Sequence, residues 1–130
     1  MPHPRVLVVL PLRLAVCRLG PKDPLPGWAT GGEFCSITRT ADELSIVCSQ
    51  DLVPDGTRCE REWRCLRVAG AMPFELLGVV AGLTAPLAAA GLSVFVLSTF
   101  DTDYLLVKQP QWAAALEVLG RQGYAIDEPI

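Results

Sequence analysis

The chain has a single histidine, His3, and no CxxC pair among its five cysteines, Cys17, Cys35, Cys48, Cys59 and Cys65. A zinc site needs about four ligands at short spacings, so neither a metal site nor a cofactor is expected. The same scarcity speaks against an independent enzyme. Acid–base or nucleophilic catalysis usually draws on a histidine, an activated thiol or paired carboxylates, and no cysteine here has an activating partner close by in sequence. Charge is sparse as well: charged residues make up 19%, and 11 basic against 14 acidic residues leave a formal net charge of -3. Without a basic run or a paired aromatic motif, neither nucleic acid nor an anionic membrane is an expected partner. An odd number of cysteines, most of them inside apolar strand-like runs, fits reduced, buried thiols in a cytoplasmic protein.

What the chain does have is apolar mass. Hydrophobic residues are 51% of its 130 residues, enough for one ordinary domain or two very small ones. Two stretches imitate membrane or export signals. Arg5–Leu19 is broken by Pro11 and Arg13 and is followed by no cleavage motif, unlike a signal peptide. Leu76–Phe100 carries no charge, but it starts with helical spacing, breaks at Gly91 and ends in the β-rich run Ser93–Phe100. It reads as a buried helix, a glycine stop and a buried strand.

Val6–Leu10 and Leu12–Leu19 are apolar strand-like runs divided by Pro11, and Gly20–Gly27, with Pro21, Pro24 and Pro26, is a loop. Phe34–Thr40 and Glu43–Ser49 form a hairpin through Ala41–Asp42, and Leu52–Glu62 is a linker. Beyond it the periodicity is clearer. Trp63–Val68 is a strand, about Phe74–Ala90 a helix that Pro86 should kink, and Ser93–Phe100 with Tyr104–Lys108 a second hairpin. A helix following Pro110 presents Trp112, Leu116 and Leu119 and stops at Gly123, and Tyr124–Ile126 is a last short strand. The order β-α-β-β-α-β is that of a ferredoxin-like unit, with both helices on one face of an antiparallel sheet. The expected architecture is α+β: tandem units, a degenerate one over residues 1–60 and a complete one over 61–130.

The stretch Gly78–Phe95, containing Pro86–Leu87–Ala88–Ala89–Ala90–Gly91, and the stretch Leu97–Val107, containing Ser98–Thr99–Phe100–Asp101–Thr102–Asp103–Tyr104, resemble the helix-to-strand and hairpin segments of ACT domains. They are most similar to the branch of CASTOR-type arginine sensors, related to the regulatory domains of aspartokinases. The N-terminal half matches more loosely, through Phe34–Ser36–Ile37–Thr38. The resemblance implies a regulatory protein that binds a free amino acid between neighbouring ACT units, together with a regulated partner protein. A sensor of this branch looks like two chains of this size fused, so a homodimer would rebuild its arrangement.

On that reading one copy supplies Phe74, Glu75, Leu76, Gly78 and Val79 around the helix start, and Thr99, Phe100 and Asp103 from the hairpin. The other copy supplies Ser93 and Val94. The chemistry fits a zwitterion. A helix opening offers unpaired N–H groups and the positive end of the dipole to a carboxylate, Gly78 permits close approach, and an ammonium needs an acceptor such as Asp103. Each residue also has a plain structural reading: Glu75 as a favourable helix-start charge, Asp101 as a turn residue, Asp103 as a strand cap, Phe100 as core, Ser93 as a strand start. Leu76 stands where arginine sensors carry a second acid, which puts arginine itself in doubt, since a guanidinium favours bidentate carboxylates. The alternative function is a structural or protein-interaction module with no small-molecule ligand.

Overall fold

The computed structural model describes residues 6–69 and 78–129. Phe74, Glu75 and Leu76, expected at the helix start, lie outside the described residues; the described helix opens at Val79, after a left-handed Gly78 that stands where the expected helix would continue. Among the described residues, seven strands and two α-helices run in the order β1 (Val6–Leu19), β2 (Cys35–Arg39), β3 (Leu44–Ser49), β4 (Cys59–Val68), α1 (Val79–Ala89), β5 (Phe95–Ser98), β6 (Asp103–Lys108), α2 (Trp112–Arg121) and β7 (Ala125–Asp127). Pro11 does not divide the first strand, and β4 opens at Cys59, inside the expected linker. The chain forms two compact units, one from residues up to Pro11 together with Arg64 onward, the other from Leu12 to Trp63. Residues 6–11, which the sequence reading gave to the N-terminal unit, therefore pack with the C-terminal half.

In the C-terminal unit the strand order is β7-β1-β4-β6-β5. β7 pairs in parallel with the start of β1, Val6 opposite Ala125 and Val8 opposite Asp127, so the sheet is not antiparallel throughout. Alternation sets the faces: Leu7 and Val9 of β1, Leu66 and Val68 of β4, and Leu105 and Val107 of β6 point to one side. There they meet Val79, Leu83 and Leu87 of α1, and Trp112, Ala115 and Leu119 of α2. Spacings of three and four residues put each helical set on one stripe, so both helices cover a single face. Arg64 stacks on the Trp112 ring at 4.6 Å.

Both helices end the same way. Gly91 and Gly123 take the left-handed conformation, at φ 77° and 93°. Behind them the amides of Leu92 and Tyr124 reach back to Leu87 O and Leu119 O at 2.9 and 3.2 Å. This six-to-one closure satisfies carbonyls that a helix end leaves open and turns the next side chain inward; Leu92 and Tyr124 accordingly join the core.

The N-terminal unit has the order β2-β3-β1-β4, with short 3-10 turns at Gly27–Thr30 and Gln50–Leu52 in place of helices. Its core is Ala15, Cys17, Ala29, Leu44, Ile46, Cys48 and Val53. Glu62 has a positive φ of 66°, a conformation that costs a side-chain-bearing residue about 1 kcal/mol or more. It is held there by Gln50, which accepts from the Glu62 amide at 2.8 Å and donates to its carboxylate at 2.9 Å, and by Arg13 at 2.7 Å.

Candidate functional site

The site predicted from sequence falls within the C-terminal unit, at the end of the sheet where β4 finishes and β6 begins. These strands are neighbours, and the buried Thr102 hydroxyl donates to Val68 O at 2.8 Å, tying the β5–β6 turn to the end of β4. The turn is closed from inside: the Thr99 amide donates to Thr102 O at 2.8 Å, and the Thr102 amide donates to Thr99 Oγ1 at 3.3 Å. Thr102, which the sequence analysis left out, is thus the residue that positions the hairpin. A threonine between two aspartates in a turn looks like any polar turn residue, so only its partner 34 positions away reveals the role.

Asp103 is 7% exposed and opposite Ser98 in the β5–β6 register. Ser98 Oγ donates to Asp103 Oδ1 at 2.6 Å, which fixes the carboxylate's orientation and commits one of its oxygens. Asp101 is exposed at the turn, in keeping with its structural reading. Phe100, expected as pocket wall or core, is 77% exposed at the hairpin tip and belongs to no core cluster.

Gly78 precedes α1 with φ 79°, a conformation suited to glycine. Its carbonyl accepts the first helical bond from the Gly82 amide at 2.8 Å, and having no side chain it places no cap on the helix start. Among the described residues, no side chain at the N-cap position takes the opening amides of α1. Val79 packs in the core, so it has only its backbone to offer a ligand. Ser93 lies just before β5, exposed, its amide donating to Gln111 Oε1 at 3.4 Å, and Val94 packs partly against the core. The structure thus gathers Thr99, Phe100 and Asp103 on one hairpin, while Ser93 and Val94 sit before the opposite end of β5.

A separate cleft of about 280 Å³ lies in the N-terminal unit, lined by Val16, Cys17, Arg18, Glu43, Ser45, Arg58, Cys59 and Glu60. Its basic and acidic side chains come from three segments distant in sequence, which no local motif could signal. Burial pushes the thiols of Cys17 and Cys65 up to about 12 and raises that of Cys48, the opposite direction from an activated nucleophile. Among the described residues no group of three or more histidine, cysteine or acidic side chains is arranged to hold a metal, and no helix is long and apolar enough to cross a membrane.

Residues 58–121 match the family model of the ACT domain, and residues 13–56 match a model described as an N-terminal domain. Over 61 residues the chain is 39% identical to the human protein named cytosolic arginine sensor for mTORC1 subunit 1. That match takes in 46% of this chain and 18% of the sensor, so the chain spans under a fifth of that relative's length. Among solved structures, the protein Atu0741 from Agrobacterium tumefaciens is 37% identical, with a TM-score of 0.92 over 98% of this chain and 96% of that one. The regulatory subunit of aspartate kinase from Thermus flavus shares the fold at 11% identity, with a TM-score of 0.62 over 89% of this chain and 95% of that one. The C-terminal half of the chain, residues 58–121, is an ACT domain.

Proposed function

We propose that this protein is a regulatory, non-catalytic amino-acid-binding protein of the cytoplasm, which takes one free amino acid between ACT units of two identical chains and passes its occupancy to a regulated partner. The observation that carries this reading is the Thr102–Val68 tether. It holds the Asp103 hairpin at the strand end from which the chain proceeds to Gly78, which itself places no side chain over the start of α1. The α-carboxylate of the ligand takes the opening amides of α1, where the helix dipole favours negative charge. Its ammonium takes the Asp103 carboxylate, oriented by Ser98, and desolvation makes both partners necessary. Phe74, Glu75 and Leu76 precede Gly78 in sequence and are assigned to the same site, and Ser93 and Val94 to the second copy. The named arginine sensor and the aspartate kinase regulatory subunit lend support as relatives or neighbours in fold, and the sensor's name supports the cytoplasmic location.

Thermal melting of the chain against each of the twenty amino acids tests the proposal. A ligand at 100 times its dissociation constant adds about 2.7 kcal/mol of stability, and Asp103→Asn should remove that shift. A flat response at millimolar concentrations of all twenty would sink it. The second reading, a protein-docking module without a ligand, is favoured by one observation, the 77% exposure of Phe100 at the hairpin tip. A flat panel would leave that reading standing.

A further inference from the structure

In the N-terminal unit, Cys35 of β2 lies directly opposite Cys48 of β3. Cys35 is exposed and Cys48 buried, on the face shared with Leu44 and Ile46. The kind of pair they make follows from the turn. The Thr40 amide donates to Glu43 O at 2.9 Å across Ala41–Asp42, so Thr40 and Glu43 are a hydrogen-bonded pair. Antiparallel pairs alternate between hydrogen-bonded and non-hydrogen-bonded. Counting back through the unbroken register from Arg39–Leu44 to Cys35–Cys48 makes the cysteines a non-hydrogen-bonded pair, the kind whose side chains approach most closely. The β5–β6 hairpin illustrates the rule. Thr99 and Thr102 are hydrogen-bonded there, and in the next pair Ser98 Oγ meets Asp103 Oδ1 at 2.6 Å. Cα atoms in a non-hydrogen-bonded pair stand about 4.5 Å apart, within the range of about 4.4–6.8 Å that a disulfide spans.

We propose that Cys35 and Cys48 are a dithiol modification site, oxidised to a cross-strand disulfide by a low-molecular-weight disulfide of the glutathione class. Cys35, the accessible thiol, loses its proton and attacks one sulfur of the small disulfide; the S–S bond breaks, the attacked half stays on Cys35 as a mixed disulfide, and the other half leaves and takes up a proton as one thiol. Cys48 then loses its proton and attacks the Cys35 sulfur, expelling the second small thiol. One small disulfide is reduced to two thiols while two protein thiols become one disulfide. Register makes the second step intramolecular, which offsets the slow ionisation of a buried thiol. Exposure at Cys35 leaves the bond open to reduction by the same class of thiol, as with other labile disulfides.

The reduced full-length chain is incubated with oxidised glutathione, its remaining thiols are blocked, and its intact mass and tryptic map are read. Cleavage at arginines 13, 18, 39, 58, 61, 64 and 67 puts each of the five cysteines in a different peptide, so the bonded pair is identified directly. The expected result is the loss of two hydrogens' mass, a bond between the Cys35 and Cys48 peptides, three of five thiols still reactive, and full reversal by dithiothreitol. Cys48→Ser should trap one glutathionyl group on Cys35, whereas Cys17→Ser and Cys59→Ser should leave the bond unchanged. A bond mapped to any other pair, a stable adduct on Cys35 of the unsubstituted protein, or no reaction while it stays folded would overturn the proposal. The map on the unsubstituted chain decides the matter even if Cys48→Ser fails to fold.

Discussion

At the scale of single residues, two buried groups carry consequences out of proportion to their size. Thr102 ties a turn to a strand end through one hydroxyl. Replacing it with the near-isosteric valine removes this bond to Val68 O, which should cost about 0.5–1.5 kcal/mol, measurable as a lower urea midpoint at unchanged m-value. A wild-type midpoint would mean that the tether does not hold the hairpin. Cys65 is the other. Burial raises its thiol from 9.0 to about 12, so the folded state favours the neutral form. Its contribution is complete below pH 9 and is lost as pH climbs through that interval, at about 1.4 kcal/mol per pH unit for that thiol. Cys65→Ala should flatten the alkaline fall in unfolding free energy by that amount, and an unchanged slope would refute the assignment.

Among the elements, the helices show local signals agreeing with tertiary demand at their ends and conflicting with it inside. Gly91 ends α1 with a positive φ and lets Leu92 join the core. Gly91→Ala forces a Cβ into the left-handed region and should cost about 1–2 kcal/mol, read as a fall in Tm. Pro86 lies inside α1, where it has no amide to offer Gly82 O. Pro86→Ala restores that bond and should raise stability, by up to about 3 kcal/mol. A loss of stability instead would mean that α1 is shaped around the proline ring. The N-terminal unit has two 3-10 turns among its strands and, in the described residues, no α-helix.

For the whole molecule, the proposed ligand lies between copies, so binding and association must be linked. A ligand held by two chains binds more weakly as the protein is diluted, and by reciprocity it shifts association toward the dimer. Titrations of a hit from the amino-acid panel at two protein concentrations should therefore give different midpoints, with sedimentation velocity showing the ligand-bound dimer. Identical midpoints across a dilution that separates the copies would move the site within one chain. The proposed Cys35–Cys48 disulfide lies in the N-terminal unit and the proposed ligand site in the C-terminal one, so either can fail without the other.

Short-range patterning made the elements legible before any coordinates. The turn at Ala41–Asp42 and the stops at Gly91 and Gly123 are written within a few residues of where they act, because backbone dihedrals are local quantities. Candidate residues on the β5–β6 hairpin were legible for the same reason. Long-range choices were not. That β7 pairs in parallel with Val6–Val8, that Thr102 reaches Val68, that Phe100 stays exposed and that Cys35 meets Cys48 each depend on which distant segments come together. An apolar strand has many partners it can pair with, and the choice among them is made when a shared core closes over all of them at once.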